Sequence, residues 1–285
     1  MNVDIQRFDP STIKPHRIAV LIGKRGTGKS TLLEDLLYHQ RRQLDMLVAC
    51  TPTESSAEMF ATHTPDTLVH DGLSQTMLEA LLASQKRCAK RASKDSTRSR
   101  PRSVMLCLDD CGYDKSTLRS RGIRDLFMNG RHRCCALTFS LQYLMDMSPD
   151  LRSNTDYVFV LKDTIRSNRE KLHKFFFGMF DTYRDFAKVL DACTEDNEAL
   201  VLDNTNAAKS SSISDSVFWY KAMAKTPPYQ IGRPVFWRLH TRVAEDADDE
   251  GGTAARGGRC AAPVVQETQP IASVTKYHAP GTTRT

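Results

Sequence analysis

The stretch Arg17–Ser30 constrains this chain more than any other. RIAVLI is an apolar run of strand length, GKRGTGKS follows it at once, and STLLEDLLYHQRRQ then spaces its leucines as a helix does. Strand, glycine-rich loop and helix in that order form the context in which G-x-x-x-x-G-K-[ST] is a phosphate-binding loop, and Gly23-Lys24-Arg25-Gly26-Thr27-Gly28-Lys29-Ser30 satisfies the pattern at every fixed position. The glycines let the backbone curl until its N–H groups face inward on an anion. Lys29 is expected to reach the β and γ phosphates and Ser30 to ligate Mg²⁺ through its hydroxyl. Thr31 closes the predicted binding stretch, in a helix whose N-terminal dipole favours the anion.

Further along, short apolar segments alternate with helical ones. Met46–Cys50, Thr67–His70, Ser103–Leu108, Cys135–Leu141, Tyr157–Leu161 and Ala199–Leu202 read as strands. SVMLCL is apolar on successive residues, the mark of a strand covered on both faces. Leu73–Ala92, Ile123–Asn129 (stopped at Gly130), Asn168–Phe177 and Asp181–Cys193 read as helices. This alternation predicts an α/β fold with a mainly parallel central sheet flanked by helices. Val217–Tyr220 and Val235–Leu239 are the last ordered-looking pieces. From about Ala244 the composition shifts to EDADDEGGTAARGGR and a Thr/Pro/Ala-rich end, so one domain is expected over 1–243 and a disordered tail over 244–285.

Asp109 and Asp110 end the strand SVMLCL. In an open α/β sheet ligands bind at that edge, where Asp109 can hold Mg²⁺ and Asp110 can polarise an attacking water. An acidic pair that merely begins a loop is the plain alternative; the phosphate loop supplies the context that favours chemistry. Gln142 ends the next strand at the same edge, either as a group on the lytic water or γ phosphate or as a loop glutamine. Arg131, in NGRH, and Arg152, in SPDLR, follow loops from which a guanidinium could project into a neighbouring subunit and neutralise charge on a γ phosphate, although surface arginines are common.

Lys86–Arg102 (KRCAKRASKDSTRSRPR) holds eight basic residues against one acidic, without apolar periodicity, and is expected to be a mobile positive loop. It could follow a DNA backbone by charge alone, serve as a nuclear-localisation-like patch, or be a solvated insertion. A second basic group, Lys115, Arg119, Arg121 and Arg124, follows the acidic pair. The overall charge of +6 is compatible with nucleic acid without establishing it. Eight cysteines lack any CxxC pair and read as reduced thiols. No segment looks like a secretory signal or a bilayer span, so the reading is a soluble intracellular chain.

The strings IGKRGTGKSTLL, VMLCLDDCGYD and FMNGRHRCCALTFSLQYLMDMSPDLRSNTDYVFVLKD, continued by FFFGMF, ACTEDNEALVLDN and SVFWYKA, resemble the genome-packaging ATPases of nucleocytoplasmic large DNA viruses, a branch of the FtsK/HerA superfamily. The resemblance spans Ile18–Ala222. It implies a RecA-like P-loop NTPase of the ASCE type, with ATP and Mg²⁺ as cofactors. Its implied task is to draw double-stranded DNA into a preformed capsid as a homo-oligomeric ring, in the host cytoplasm or the virion. By motif position Lys29 and Ser30 would carry nucleotide and metal, Asp109 the metal, Asp110 the general base, Gln142 the sensor, and Arg152 or Arg131 the arginine acting in trans. The superfamily more often has glutamate at the position of Asp110.

A nucleotide kinase would share the loop and sheet but needs a lid, and no segment reads as one. A nucleotide-dependent, capsid-associated binding protein with little turnover is the alternative from another class. No N-K-x-D guanine-reading motif is present.

Overall fold

Val20 and Leu21 lie side by side in sequence and neither has exposed surface, because the strand that carries them is covered on both faces. In the computed structural model, which describes residues 4–94, 101–111, 119–144, 147–206 and 212–250, that strand sits within a nine-stranded sheet. The strands are β1 (Gln6–Arg7), β2 (Ile18–Ile22), β3 (Met46–Cys50), β4 (Val69–His70), β5 (Val104–Leu108), β6 (Cys135–Leu141), β7 (Tyr157–Val160), β8 (Glu198–Asp203) and β9 (Val217–Lys221). Their spatial order is β1-β9-β8-β7-β2-β6-β5-β3-β4. Every pairing is parallel except those of β8, which runs antiparallel to both β7 and β9. The mainly parallel sheet is therefore as expected, and β8 covers the strand expected at Ala199–Leu202; its reversed direction and the two-residue edge strand β1 carry no signal in the sequence pattern.

The helices are α1 (Lys29–Gln40), α2 (Glu54–His63), α3 (Gln75–Lys94), α4 (Arg121–Asn129), α5 (Pro149–Ser153), α6 (Arg166–Phe175), α7 (Tyr183–Ala192) and α8 (Pro234–Glu250). Alternate residues of β2 divide between two cores. Ala19 and Leu21 pack with Leu32, Leu33, Leu36 and Leu37 of α1 and Phe60 of α2. Ile18, Val20 and Ile22 pack with Leu78 and Leu82 of α3, Ile123 and Leu126 of α4, and Phe186 of α7. The result is three layers, helix on sheet on helix.

One expectation is corrected. The helix expected over Leu73–Ala92 is present as α3 and runs on to Lys94, so the start of the basic stretch expected as a loop, Lys86–Lys94, is helical; the rest of that stretch is described only from Pro101 onward. Lys, Arg and Ala are good helix formers, so the helix continues after its apolar stripe has ended. The ordered-looking piece Val235–Leu239 lies in α8. Cα packing places the end of the main compact unit at Glu245, and the predicted tail from 251 on lies outside the described residues, as does Lys115.

After β9 the chain returns as an extended strap over α1 and α2. Thr226 donates to the Glu34 carboxylate (2.7 Å) and the Tyr229 hydroxyl to the Glu34 carbonyl (2.8 Å). The Tyr229 ring stacks on His63 at 3.9 Å, and Ile231 N–H donates to the His63 carbonyl (2.7 Å).

Candidate active site

The phosphate loop hangs from the sheet by a hydrogen bond from Gly23 N–H to the Leu141 carbonyl of β6 (3.1 Å). Gly26 and Gly28 have φ of +76° and +93°, a left-handed backbone that a side chain would strain. At Gly28 the conformation is the constraint, since a Cβ there would meet Asn197 only at 3.6 Å; at Gly23 it is space, for a Cβ would come to 2.9 Å from Leu161 Cβ. Thr27 Oγ1 donates to the Lys24 carbonyl (2.8 Å), closing the loop on itself. Lys24 pairs with Asp163, which follows β7, at 3.1 Å. Arg25 is exposed, as are Ser30 and Thr31 at the mouth of α1.

Lys29 is buried, donates to the Gly23 carbonyl (2.7 Å), and lies 3.7 Å from Asp110 Oδ1. That oxygen is buried and accepts no hydrogen bond among the described residues, so the ammonium is its close charged neighbour. Asp110 is itself left-handed, φ +50°, and its N–H donates to Ser140 Oγ (3.0 Å). Asp109, 2% exposed, accepts from Ser56 Oγ of α2 (2.7 Å) and from Ser140 Oγ of β6. Ser140 thus holds both acidic residues, one by its carboxylate and one by its backbone. Neither serine was legible as a site residue, because they stand 53 and 31 positions from Asp109 and belong to no local motif. Beneath the pair, the Cys111 thiol donates to the Cys50 carbonyl of β3 (3.2 Å); burial pushes that thiol up to about 12, which keeps it protonated and able to donate.

Gln142 lies at the loop edge of β6, lining a small cavity with Asp163, Asn168 and Lys171. The two arginines lie elsewhere. Leu141 pairs with Ile22 at the loop end of the sheet, whereas Arg131 precedes Cys135 at the other end of the same strand. That puts it about 20 Å away along β6 at the usual rise per residue, and it is exposed. Arg152 precedes β7 in α5, donates to the Met147 carbonyl (2.9 Å) and stacks 3.9 Å over the Phe175 ring, where burial lowers its pKa. Within one subunit neither guanidinium reaches the loop.

A glycine-rich loop between β2 and α1, an acidic pair directly after β5, and β6 inserted between those two strands together define the P-loop NTPase fold of the RecA-like ASCE type. The chain belongs to the family described as Poxvirus A32 protein, which it matches over residues 6–217, in accord with the resemblance to viral packaging ATPases. Among its relatives, an uncharacterised protein of Acanthamoeba polyphaga mimivirus is 31% identical over 243 residues, covering 84% of each chain. One from Invertebrate iridescent virus 3 is 31% identical over 202 residues, covering 71% of this chain and 74% of the other. The fold is also that of the DNA-packaging ATPase of Sulfolobus turreted icosahedral virus, with a TM-score of 0.52 and 16% identity over 74% of this chain and all of that one. EssC (ATPases 2 and 3) of Geobacillus thermodenitrificans aligns with a TM-score of 0.51 and 13% identity, over 82% of this chain and 44% of that one. Among the described residues no helix is long and apolar enough to cross a membrane.

Proposed function

We propose that the chain hydrolyses ATP to move double-stranded DNA into a viral capsid, working as a ring of identical subunits at the assembly site in the host cytoplasm or on the virion. The observation that carries this reading is the shared anchoring of Asp109 and Asp110 on Ser140, beside Lys29 of the phosphate loop. It is the arrangement a triphosphate-cleaving site needs, in a chain of a viral family whose fold a DNA-packaging ATPase shares.

The loop fits a triphosphate: Gly23–Thr31 supplies backbone donors, a buried cation at Lys29 and a helix N-terminus. Oxygen donors also suit Mg²⁺, a hard ion that keeps several waters and shares itself with phosphates. Ser30 and Asp109 would hold it, and when bound it would neutralise charge developing between the phosphates. Asp109 is oriented for this by the hydroxyls of Ser56 and Ser140. Asp110, with one carboxylate oxygen bare of hydrogen bonds, accepts the proton of the attacking water. Gln142 orients that water from the neighbouring strand end. Arg131 is exposed and free of ion pairs among the described residues, which suits it to act on a neighbour's γ phosphate; Arg152 is the second candidate, held by Met147 and Phe175.

The test is the ATPase rate with and without double-stranded DNA, measured together with oligomeric state. Stimulation by DNA in a multimer is expected, and a monomer indifferent to DNA would sink the reading.

A further inference from the structure

Several cations elsewhere on the helical layers are held by acids. Arg166 pairs with Glu170 at 2.8 Å, Arg169 with Asp191 at 2.8 Å, and Arg133 forks onto Asp125. The C-terminal half of α3 is different. Lys86, Arg87, Lys90, Arg91 and Lys94 are all exposed, and among the described residues none forms an ion pair. Only alanine, serine and cysteine stand between them.

The placement of this half is fixed by Gln85, 3% exposed, whose Nε2 donates to the carbonyls of Arg102 (2.8 Å) and Arg133 (3.1 Å). Those carbonyls belong to the segments that lead into β5 and β6. The basic half of α3 is therefore tied to the ends of two strands whose opposite ends carry Asp109, Asp110, Ser140 and Gln142, and it brings the exposed Arg102 alongside.

We propose that Lys86–Lys94 of α3, with Arg102 beside it, is the surface that carries the phosphate backbone of double-stranded DNA. This rests on the translocase reading above and adds to it the place of contact. From Lys86 to Lys94 the helix advances about 12 Å, a length over which a duplex presents about seven phosphates. Five cations in two adjacent rows, Lys86/Lys90/Lys94 and Arg87/Arg91, with about one helical turn between neighbours in a row, meet a charge lattice of comparable density. The face holds no exposed aromatic ring or side-chain amide, and contact by charge alone suits a motor that must accept any sequence.

The test uses the full chain and a fluorescent random-sequence duplex, with affinity followed against salt. Replacing the five α3 cations with glutamine, itself a good helix former, is expected to flatten the slope of log affinity on log salt by about 4 and to weaken binding about 1,000-fold near 0.1 M salt. DNA stimulation of hydrolysis should disappear while hydrolysis without DNA stays unchanged. Should the fivefold variant not fold, Lys90→Gln with Lys94→Gln, confined to the exposed end of the helix, should still lower the slope by about 2. Wild-type chain that binds DNA and is stimulated by it, with variants of unaltered slope, overturns this surface and leaves the translocase reading standing. Wild-type chain that ignores DNA overturns both. Polyglutamate of matched charge competing as well as duplex would assign the face to an acidic protein and overturn the proposal.

Discussion

Strands β5 and β6 are finished in opposite ways at their two ends. At the loop end, buried polar groups fix one another: Ser56 and Ser140 bond Asp109, Ser140 takes the Asp110 N–H, and Lys29 faces the free carboxylate oxygen. At the other end one buried glutamine bridges two carbonyls, and the helix beyond it carries five exposed cations. Bond-making demands fixed atoms, because misplacement by about 1 Å at a reacting centre can cost about 100-fold in rate. Holding a polymer whose register keeps changing demands only charge at the right density. The same two rigid strands connect both requirements.

The contrast can be broken most sharply at Asp110. Asp110→Asn keeps the shape of the side chain but removes the proton acceptor, so hydrolysis should fall about 1,000-fold while binding of a fluorescent ATP analogue is retained; turnover within a few-fold of wild type would remove Asp110 as the base. Next in size is Ser140→Ala, which frees both acidic residues at once. By analogy with groups that orient metal ligands, a loss of about 10- to 100-fold is expected. A raised Mg²⁺ requirement should accompany it, which a merely packing role would not produce. At the opposite end, Gln85→Leu leaves two carbonyls without their donor and should cost about 2 kcal/mol in urea unfolding. DNA-stimulated hydrolysis should suffer more than the unstimulated rate, and equal losses would show that the two ends are not linked through the strands.

The smallest effect concerns α1 itself. Burial raises the Asp35 carboxyl above its ordinary value of 3.8, against the Tyr220 hydroxyl that donates to it and the nearby His39. The folded chain then holds this proton more tightly than the unfolded one. Stability therefore declines as pH rises from the unfolded value through the folded one, and stays lowered above it. Asp35→Asn cannot ionise, so its melting temperature relative to wild type should improve as the pH rises above the ordinary carboxyl value of 3.8; a constant difference would show that Asp35 titrates as it does in the unfolded chain.

The loop-end strands and loop were readable because their signals are local: consecutive apolar residues, fixed glycine spacing, an acidic pair directly after a strand. Gly26 and Gly28 need their positive φ within eight residues of sequence, and the motif records it. At the distal end the helix over Leu73–Ala92 was readable, but not that it holds the basic residues through Lys94. The helical run through Lys94 offers no buried apolar residue beyond Leu82, and its charge density resembles that of a loop. The serines around Asp109 and the Gln85 bridge depend on contacts 17 to 53 residues apart, which no spacing rule encodes. The arginines show the same limit: NGRH and SPDLR mark element boundaries in sequence, but only the register of β6 and β7 shows that both lie away from the loop.

The strap over α1 has a consequence for how the chain is made. Thr226 and Tyr229 meet Glu34 across 192 and 195 residues, so the helix that opens the phosphate loop leaves the ribosome long before the segment that covers it. Contacts of such long sequence separation close slowly. Helix α1 waits for a segment made almost two hundred residues later before this side of it is covered, and a chain released short of Tyr229 would display the nucleotide motif on a helix without its strap.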